Sequence, residues 1–432
     1  MSRETEAVEV IIVGAGLAGL SAARVVDGSG LSYKILEATD RAGGKVYSGF
    51  NEQGEYPLEL GAQFVNKDMT ELTRLIEESG MHLKRTVSKP DSVYLHAKTR
   101  TDVGAFIESV DEEIVHSETD TRLSLAQTIE DWVENEQEEA IAKSFFTEES
   151  TVSTEHILAE SFLETIERYA SELDDLTHQA SGQLTQVVDY LSSQLKEEIL
   201  FNHPVESVEY EDGLYTLNTS NGKSYHAKAV IFAIPPTAGS RIKFPEELKT
   251  YYEPLLTSYI DGAVIKVSLT YEQPFWHDYD RNGKSVPVEG IIYGDYDGLS
   301  VSDSSKEGDH PRLTAFIGGD LAKDLVERSE QDRHQFVLDR LRDVLGDQVE
   351  EYLDYRESIW VDHPYYGGGY SGQVHVAGLP ESPDKLRTPF KLSVFASTEL
   401  AEAFPGFMEG ALRSGKSAAE KIIDLVDRSD KH

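Results

Sequence analysis

The chain has 432 residues, 39% of them hydrophobic, with 78 acidic side chains against 40 basic ones and a net charge of −38. That length predicts about two to three domains, and such a field repels nucleic acid and anionic membrane surfaces while favouring cationic ligands. There is no cysteine, which excludes disulfides, thiolate metal sites and thiolate catalysis. A heavily solvated acidic surface, as in a salt-tolerant organism, accounts for the charge equally well. The charged start, Met1 to Glu9, and the end, Asp427 to His432, show no signal peptide and no tail anchor, and no run approaches the roughly 20 apolar residues of a membrane span. A cytoplasmic protein without membrane or nucleic-acid partners is expected. The thirteen histidines show no metal-like spacing, so no metal site is expected.

The first forty-five residues carry the clearest pattern. An apolar run, Val8 to Val13, leads into Gly14-Ala15-Gly16-Leu17-Ala18-Gly19. A helix-like stretch follows at Ser21 to Val26, then a second apolar run, Tyr33 to Leu36, ending at Glu37. Arg41-Ala42-Gly43-Gly44-Lys45 comes next. This is the layout of a dinucleotide site, for NAD or FAD. Gly14 permits the tight turn, Gly16 lets the backbone approach a pyrophosphate, and Gly19 lets the helix pack on the strand. The helix N-terminus offers N–H groups to phosphates. Glu37, about 20 residues on, is placed to accept from a ribose 2′-hydroxyl. The plain alternative is an ordinary βα turn with an exposed Glu37.

Further along, Lys45 to Glu55 predicts a glycine-rich hairpin, and 69–80 a helix stopped by Gly80. Helical periodicity with many Glu runs through 124–135, 136–146, 154–169 and 183–195, and its acids are expected on a solvated face. Strands are expected at 199–202, 205–210, 214–219 and 224–227, with Asp212-Gly213 and Asn221-Gly222 as turns. Ala229 to Ile234 reads as a strand buried on both faces and stopped by Pro235-Pro236. Strands at 262–271, 291–296, 313–317, 356–361 and 392–396 and helices at 330–345 and 410–426 complete the reading.

Together these stretches resemble the flavin-dependent amine oxidase family: monoamine, polyamine and L-amino-acid oxidases. The opening glycine motif with Glu37 and Arg41 to Lys45 is similar to the family's FAD signature, with Lys45 where Arg is usual. Leu58 to Phe64 resembles the turn that meets the flavin ring. Val205 to Val208 resembles the strand whose backbone reads the adenine. Phe395 to Glu399, Gly406 to Ala411 and Ser414-Gly415 resemble the closing flavin segment, with Ser397 where Gly is usual. The resemblance implies an α/β fold. A discontinuous Rossmann-like, glutathione-reductase-like FAD-binding domain (1–75, 180–253 and 366–432) would interleave with an α+β substrate domain (76–179 and 254–365). The cofactor residues it implies are Gly14, Gly16, Ala18, Gly19, Glu37, Arg41, Gly43, Gly44, Lys45, Gly61, Ala62, Gln63, Phe64, Val205, Ser397, Thr398, Glu399 and Met408.

The resemblance also assigns the chemistry. Lys266 alternates with Ile265, Val267 and Leu269, which by itself suggests a lysine facing solvent. In the family the matching lysine holds a water beside flavin N5. Tyr370 and Phe407 match the two aromatic positions flanking the amine, and Trp360 a tryptophan packed near the flavin; the plain alternative is core aromatics. Gly369 stands where some relatives carry a flavin-linked Cys, so FAD is expected to be non-covalent. The implied activity is hydride transfer from an amine to FAD, giving an imine and then an aldehyde, with O2 reduced to H2O2. No Arg follows Gly61-Ala62 to hold a carboxylate, although Lys67 is nearby, which favours simple amines over amino acids. The alternatives are a related desaturase or porphyrinogen-type oxidase, an L-amino-acid oxidase, or a non-catalytic flavoprotein subunit. A homodimer is possible and oligomeric state is left open.

Overall fold

The computed structural model describes residues 7–429, apart from 52, 88, 116–121, 134, 172 and 174–176. The extreme termini read above thus lie outside the described residues.

Three parallel strands end together at the glycine turn. Val8–Val13, Tyr33–Leu36 and Ser224–Phe232 pair side by side, with Val13 opposite both Leu36 and Phe232. They belong to a seven-stranded sheet ordered Val205–Glu211, Leu214–Thr219, Ser224–Phe232, Val8–Val13, Tyr33–Leu36, Ile199–Leu200, with Ser393–Phe395 added in parallel beside Ser224–Phe232. Its strands therefore come from three separated stretches of chain. Both faces are buried, as the continuous apolar runs predict. Val10, Ile12, Ala229 and Ile231 pack with Leu20, Val188 and Ile422 of helices Leu17–Ser29, Thr185–Ser193 and Met408–Ser429. Ile11, Val13, Val230 and Phe232 pack the other way, with Tyr252 and Leu255 of helix Glu246–Leu256. Each such fully buried aliphatic side chain contributes about 1.5–3 kcal/mol. The strands expected separately at 224–227 and 229–234 are one strand, alternating in burial at its start and fully buried at its end.

A second sheet of six strands runs Asp354–Ile359, Val264–Thr270, Arg312–Gly318, Leu299–Asp303, Val288–Ile292, Val93–His96. Helix Glu330–Leu345 has the expected bounds, capped by the Ser329 hydroxyl accepting from Asp332 N–H and stopped at Gly346 with φ +84°. It covers one face with helix Gly319–Val326 through Ala322, Leu325, Val337 and Leu341. The sequence reading missed Val93–His96, Leu299–Asp303 and helices Gly104–Val115, Glu246–Leu256 and Gly319–Val326. The missed strands are short, and tertiary partners rather than local pattern fix them. The helix expected over 154–169 is split. A 3-10 turn at Thr154–His156 precedes helix Ala159–Glu167, because Leu158 N–H is drawn to Val374 O instead.

Two helices meet closely at glycine. A Cβ on Gly415 would stand 1.9 Å from Ala18 O, so the closing helix lies directly on the first. Gly415→Ala is expected to force them apart and cost about 1–3 kcal/mol. The readout is the thermal midpoint of the ligand-free protein, and an unchanged midpoint contradicts this packing account.

Candidate active site

A cavity of about 850 Å³ starts at the carboxyl ends of the parallel strands and runs to the second sheet. It is at the upper end of small-molecule sites, which span about 300–1,000 Å³. Gly14, Gly16, Ala18 and Glu37 line one end; Gly61, Lys266, Tyr370 and Phe407 line the other.

At the first end the glycines divide by purpose. Gly14 has φ +101°, and a Cβ there would meet Ala233 O at 2.4 Å; a Cβ on Gly19 would meet Gly14 O at 1.9 Å. These two are required by the fold. A Cβ on Gly16 would touch nothing nearer than Gly44 Cα at 3.9 Å, so the bareness of Gly16 serves whatever fills the cavity. Gly43 and Gly44 both have positive φ and form the facing turn, with Gly43 N–H donating to Ala15 O at 2.8 Å. The helix starting at Leu17 has no side-chain cap and no acid in its first turn. Its free N–H groups and partial positive charge face the cavity, as an anion requires. Glu37 is buried; it accepts from Ala15 N–H at 2.8 Å and from Thr39 N–H and hydroxyl at 2.9 and 2.8 Å. Val205, with His203 and Pro204, lines this end too.

The two cations of the glycine motif are both engaged by protein groups. Arg41 does not line the cavity. Its guanidinium donates to Ala42, Gly44 and Val46 carbonyls and stacks between Tyr47 and Tyr366, so it shapes the glycine turn from behind. Lys45 lines the cavity, yet its ammonium donates to Tyr370 O at 2.9 Å and pairs with Glu399 at 3.6 Å.

At the second end the turn 59–62 is fixed on both sides. Its N–H groups go to the 45–47 segment: Leu60 and Gly61 to Tyr47 O, Ala62 to Lys45 O. Its carbonyls go to the second sheet. Lys266 Nζ donates to Glu59 O at 2.8 Å and Gly61 O at 2.9 Å, while Ser358 hydroxyl and Trp360 indole donate to Leu60 O at 2.6 and 3.0 Å. Lys266 is buried, so the solvent-facing expectation fails. The parity was right, because Ile265, Val267 and Leu269 do face the core, but the opposite face meets the cavity rather than water. Burial pushes the Lys266 ammonium down to about 7 against the pull of Glu59, and the same burial pushes the Glu59 carboxyl up.

Tyr370 and Phe407 line the same end but make no ring contact with each other among the described residues. Phe407 stacks on Tyr169 at 5.0 Å, and Tyr370 meets Phe316 edge-on at 6.3 Å. The Tyr370 hydroxyl donates to Glu148 at 3.0 Å. Ala62, Gln63, Phe64, Ser397, Thr398 and Met408 line the cavity. Sequence reasoning missed Glu148, Tyr169, Phe316 and Arg241. Only Phe316 had a signal, since it lies on a strand that could pair with the lysine strand, and the register sets it opposite Lys266.

The cavity fits FAD. The hydroxyl of Ser397, Oε2 of Glu399 and Nε2 of His203 are buried without a hydrogen-bond partner among the described residues, and all three residues line it. Unsatisfied buried polar atoms of this kind call for a ligand or water. Helix Met408–Ser429 also begins at the cavity. Gly16→Val should therefore yield a folded apoprotein with less than about a tenth of the wild-type flavin, read by absorbance; normal flavin content would contradict the fit. Lys266 gives a second expectation. Its pKa falls from the 10.5 of a free lysine to about 7 in the fold. Between those values the unfolded chain binds a proton the folded chain has released, so stability rises with pH there. Wild type should gain urea resistance over Lys266→Met as pH rises from about 7 to 10, and a constant difference would contradict the shift.

Residues 17–423 match the family model described as flavin containing amine oxidoreductase. Human flavin-containing amine oxidase B is 26% identical, over 97% of this chain and 87% of that protein. Flavin-containing amine oxidase A of Canis lupus familiaris is also 26% identical, over 99% and 88%. Among solved structures, cyclohexylamine oxidase from Brevibacterium oxydans IH-35A shares the fold with a TM-score of 0.85 at 22% identity, covering 98% of this chain and all of that one. A double mutant of putrescine oxidase gives 0.84 at 25% identity, covering 96% and 99%. With a family match across nearly the whole chain and a cavity shaped for the cofactor, this chain belongs to the flavin containing amine oxidoreductase family and is an FAD-dependent oxidoreductase acting on amines.

Proposed function

We propose that the chain oxidises simple amines rather than amino acids, and that the amine is held between Tyr370 and Phe407. The observation that carries this is the placement of the cations. Lys45, Arg241 and Lys266 are the only Lys or Arg lining the cavity among the described residues. Lys45 is engaged by Tyr370 O and Glu399, Arg241 pairs with Asp261, and Lys266 holds the turn carbonyls. Lys67 is exposed and lies outside the cavity. Among the described residues no Lys or Arg of the cavity wall is left to receive an α-carboxylate.

Bound FAD would supply the two-electron oxidation, accepting the hydride of the amine α-carbon and returning the electrons to O2 as H2O2, while water would convert the imine product to an aldehyde. The chain's own groups prepare that chemistry. Tyr370, Phe407, Tyr169 and Phe316 supply apolar walls that orient the substrate and disfavour its ammonium form, so the nitrogen is released from its proton. Lys266 in its neutral form has two N–H donors, matched by Glu59 O and Gly61 O, and one lone pair that can take a proton at Nζ. Glu37 and the uncapped helix at Leu17 would hold the ribose and pyrophosphate. No cysteine exists to form a thioether. At Gly369 even a Cβ would stand 1.9 Å from the Thr151 hydroxyl oxygen, which keeps that position bare. The division into 1–75, 180–253 and 366–432 for FAD, against 76–179 and 254–365 for substrate, belongs to the same reading.

Anaerobic mixing with a panel of amines should bleach the flavin, with L-amino acids leaving it oxidised. Acid precipitation should then leave the yellow colour in the supernatant. Bleaching by L-amino acids alone, or colour in the pellet, would contradict this reading.

A further inference from the structure

The acids of the helical region are expected on a solvated face, and Glu148 instead faces the cavity. Glu148 lies in the last turn of helix Glu136–Ser150 and lines the cavity. Its place is rigid. The helix ends at Thr151, which has φ +60°, and Thr151 O accepts from Ala263 N–H at 2.8 Å, tying the turn to the strand that carries Lys266. Burial pushes the carboxyl up to about 7, with hydrogen bonds from Tyr370 and Ser300 opposing. No Lys, Arg or His forms an ion pair with it among the described residues.

Glu148 is half-buried against the cavity, and a carboxylate drawn out of water without a cation is costly, a cost that falls when a cation arrives. The surroundings favour that cation. The C-terminal end of the helix carries partial negative charge. The stretch 92–173 contributes Asp102, Glu108, Glu148 and Glu149 to the cavity wall, and no Lys or Arg. The place of the carboxylate also says which nitrogen it receives. Glu148 bonds the hydroxyl at the outer tip of the Tyr370 ring, one hydrogen bond beyond the slot between the two aromatic side chains. A nitrogen seated beside the Tyr370 hydroxyl lies within hydrogen-bond reach of Glu148.

We propose that Glu148 is a specificity-determining residue that binds a second, non-reacting ammonium of the substrate, so that the preferred substrate class is the α,ω-diamine. This rests on the amine-oxidase reading of the same cavity. One nitrogen lies neutral between Tyr370 and Phe407; the other stays charged, with its N–H groups donating to the Glu148 carboxylate and the Tyr370 hydroxyl beside it. Charge-assisted hydrogen bonds of this kind are about twice as strong as neutral ones, and partly buried pairs are screened less than exposed ones.

The test compares 1,4-diaminobutane with n-butylamine on the flavin-loaded protein. Wild type should favour the diamine in kcat/KM by at least about tenfold. Glu148→Gln should lower that diamine-to-monoamine ratio by about tenfold or more, mainly through KM for the diamine, and Glu148→Asp should restore part of it. Diamine Kd, measured calorimetrically on dithionite-reduced enzyme where no turnover occurs, should rise by a similar factor in Glu148→Gln. The Asp variant and this equilibrium measurement keep the test decisive if the Gln variant folds poorly. Equal losses for both amines in Glu148→Gln, or a wild type with no diamine preference, would overturn the proposal while leaving amine oxidation intact. A flavin that neither amine reduces would instead overturn the reading on which it rests.

Discussion

The turn at Glu59 to Ala62 is the constraint on which the site depends. Three successive carbonyls and three successive N–H groups are all taken, the carbonyls by side chains of the second sheet and the N–H groups by the 45–47 segment that follows the glycine motif. Lys266 and Ser358 are direct cross-strand partners, so one pair of neighbouring strands presents both donors. Gly61 permits the approach, since a Cβ there would stand 2.1 Å from Lys45 O and 3.1 Å from Trp360. A small shift of either sheet would break several of these bonds at once. The two ends of the cavity are thereby held at a fixed separation, which is what near-attack geometry needs.

The same turn explains the electrostatics. Lys266 is buried for the sake of two carbonyls, and burial lowers its affinity for a proton while the nearby Glu59 only partly restores it. Beyond Tyr370 the sign reverses. There the wall is acidic, and Glu148 stands at the end of a helix whose dipole also favours positive charge. The cavity thus passes from a helix N-terminus suited to phosphates, through a weakly basic lysine, to an acidic chamber suited to a cation. The net charge of −38 is mostly a surface property, but Asp102, Glu108, Glu148 and Glu149 bring part of it to the cavity wall.

What the sequence could show follows from how local each requirement is. Gly14, Gly16, Gly19 and Glu37 act within one βαβ unit, and their spacing alone announces the site. The continuous apolar runs at 8–13 and 229–234 required burial on both faces and have it. Lys266 was legible only in parity. A period of two separates the faces of a strand, but cannot say whether the second face meets water or a cavity. Arg41 and Lys45 sit in the right motif, yet backbone carbonyls compete for their cations. Glu409, inside the closing flavin-like block, accepts from Glu71 and Leu72 N–H and so caps helix Thr70–Glu78 rather than touching the cavity. Glu148 had no signal at all: one acid in an acid-rich helix differs from its neighbours only by where the helix ends.

The central claim is that one continuous cavity brings the flavin ring to the turn at Gly61 and Ala62 and in front of Tyr370 and Phe407. A crystal structure of the flavin-loaded protein tests this most directly. The account predicts density for FAD running from Glu37 past Gly16 to that turn, with the ring edge near Lys266. An adenine end at Tyr370, or a flavin ring lying outside the space between Gly61, Tyr370 and Phe407, would contradict it.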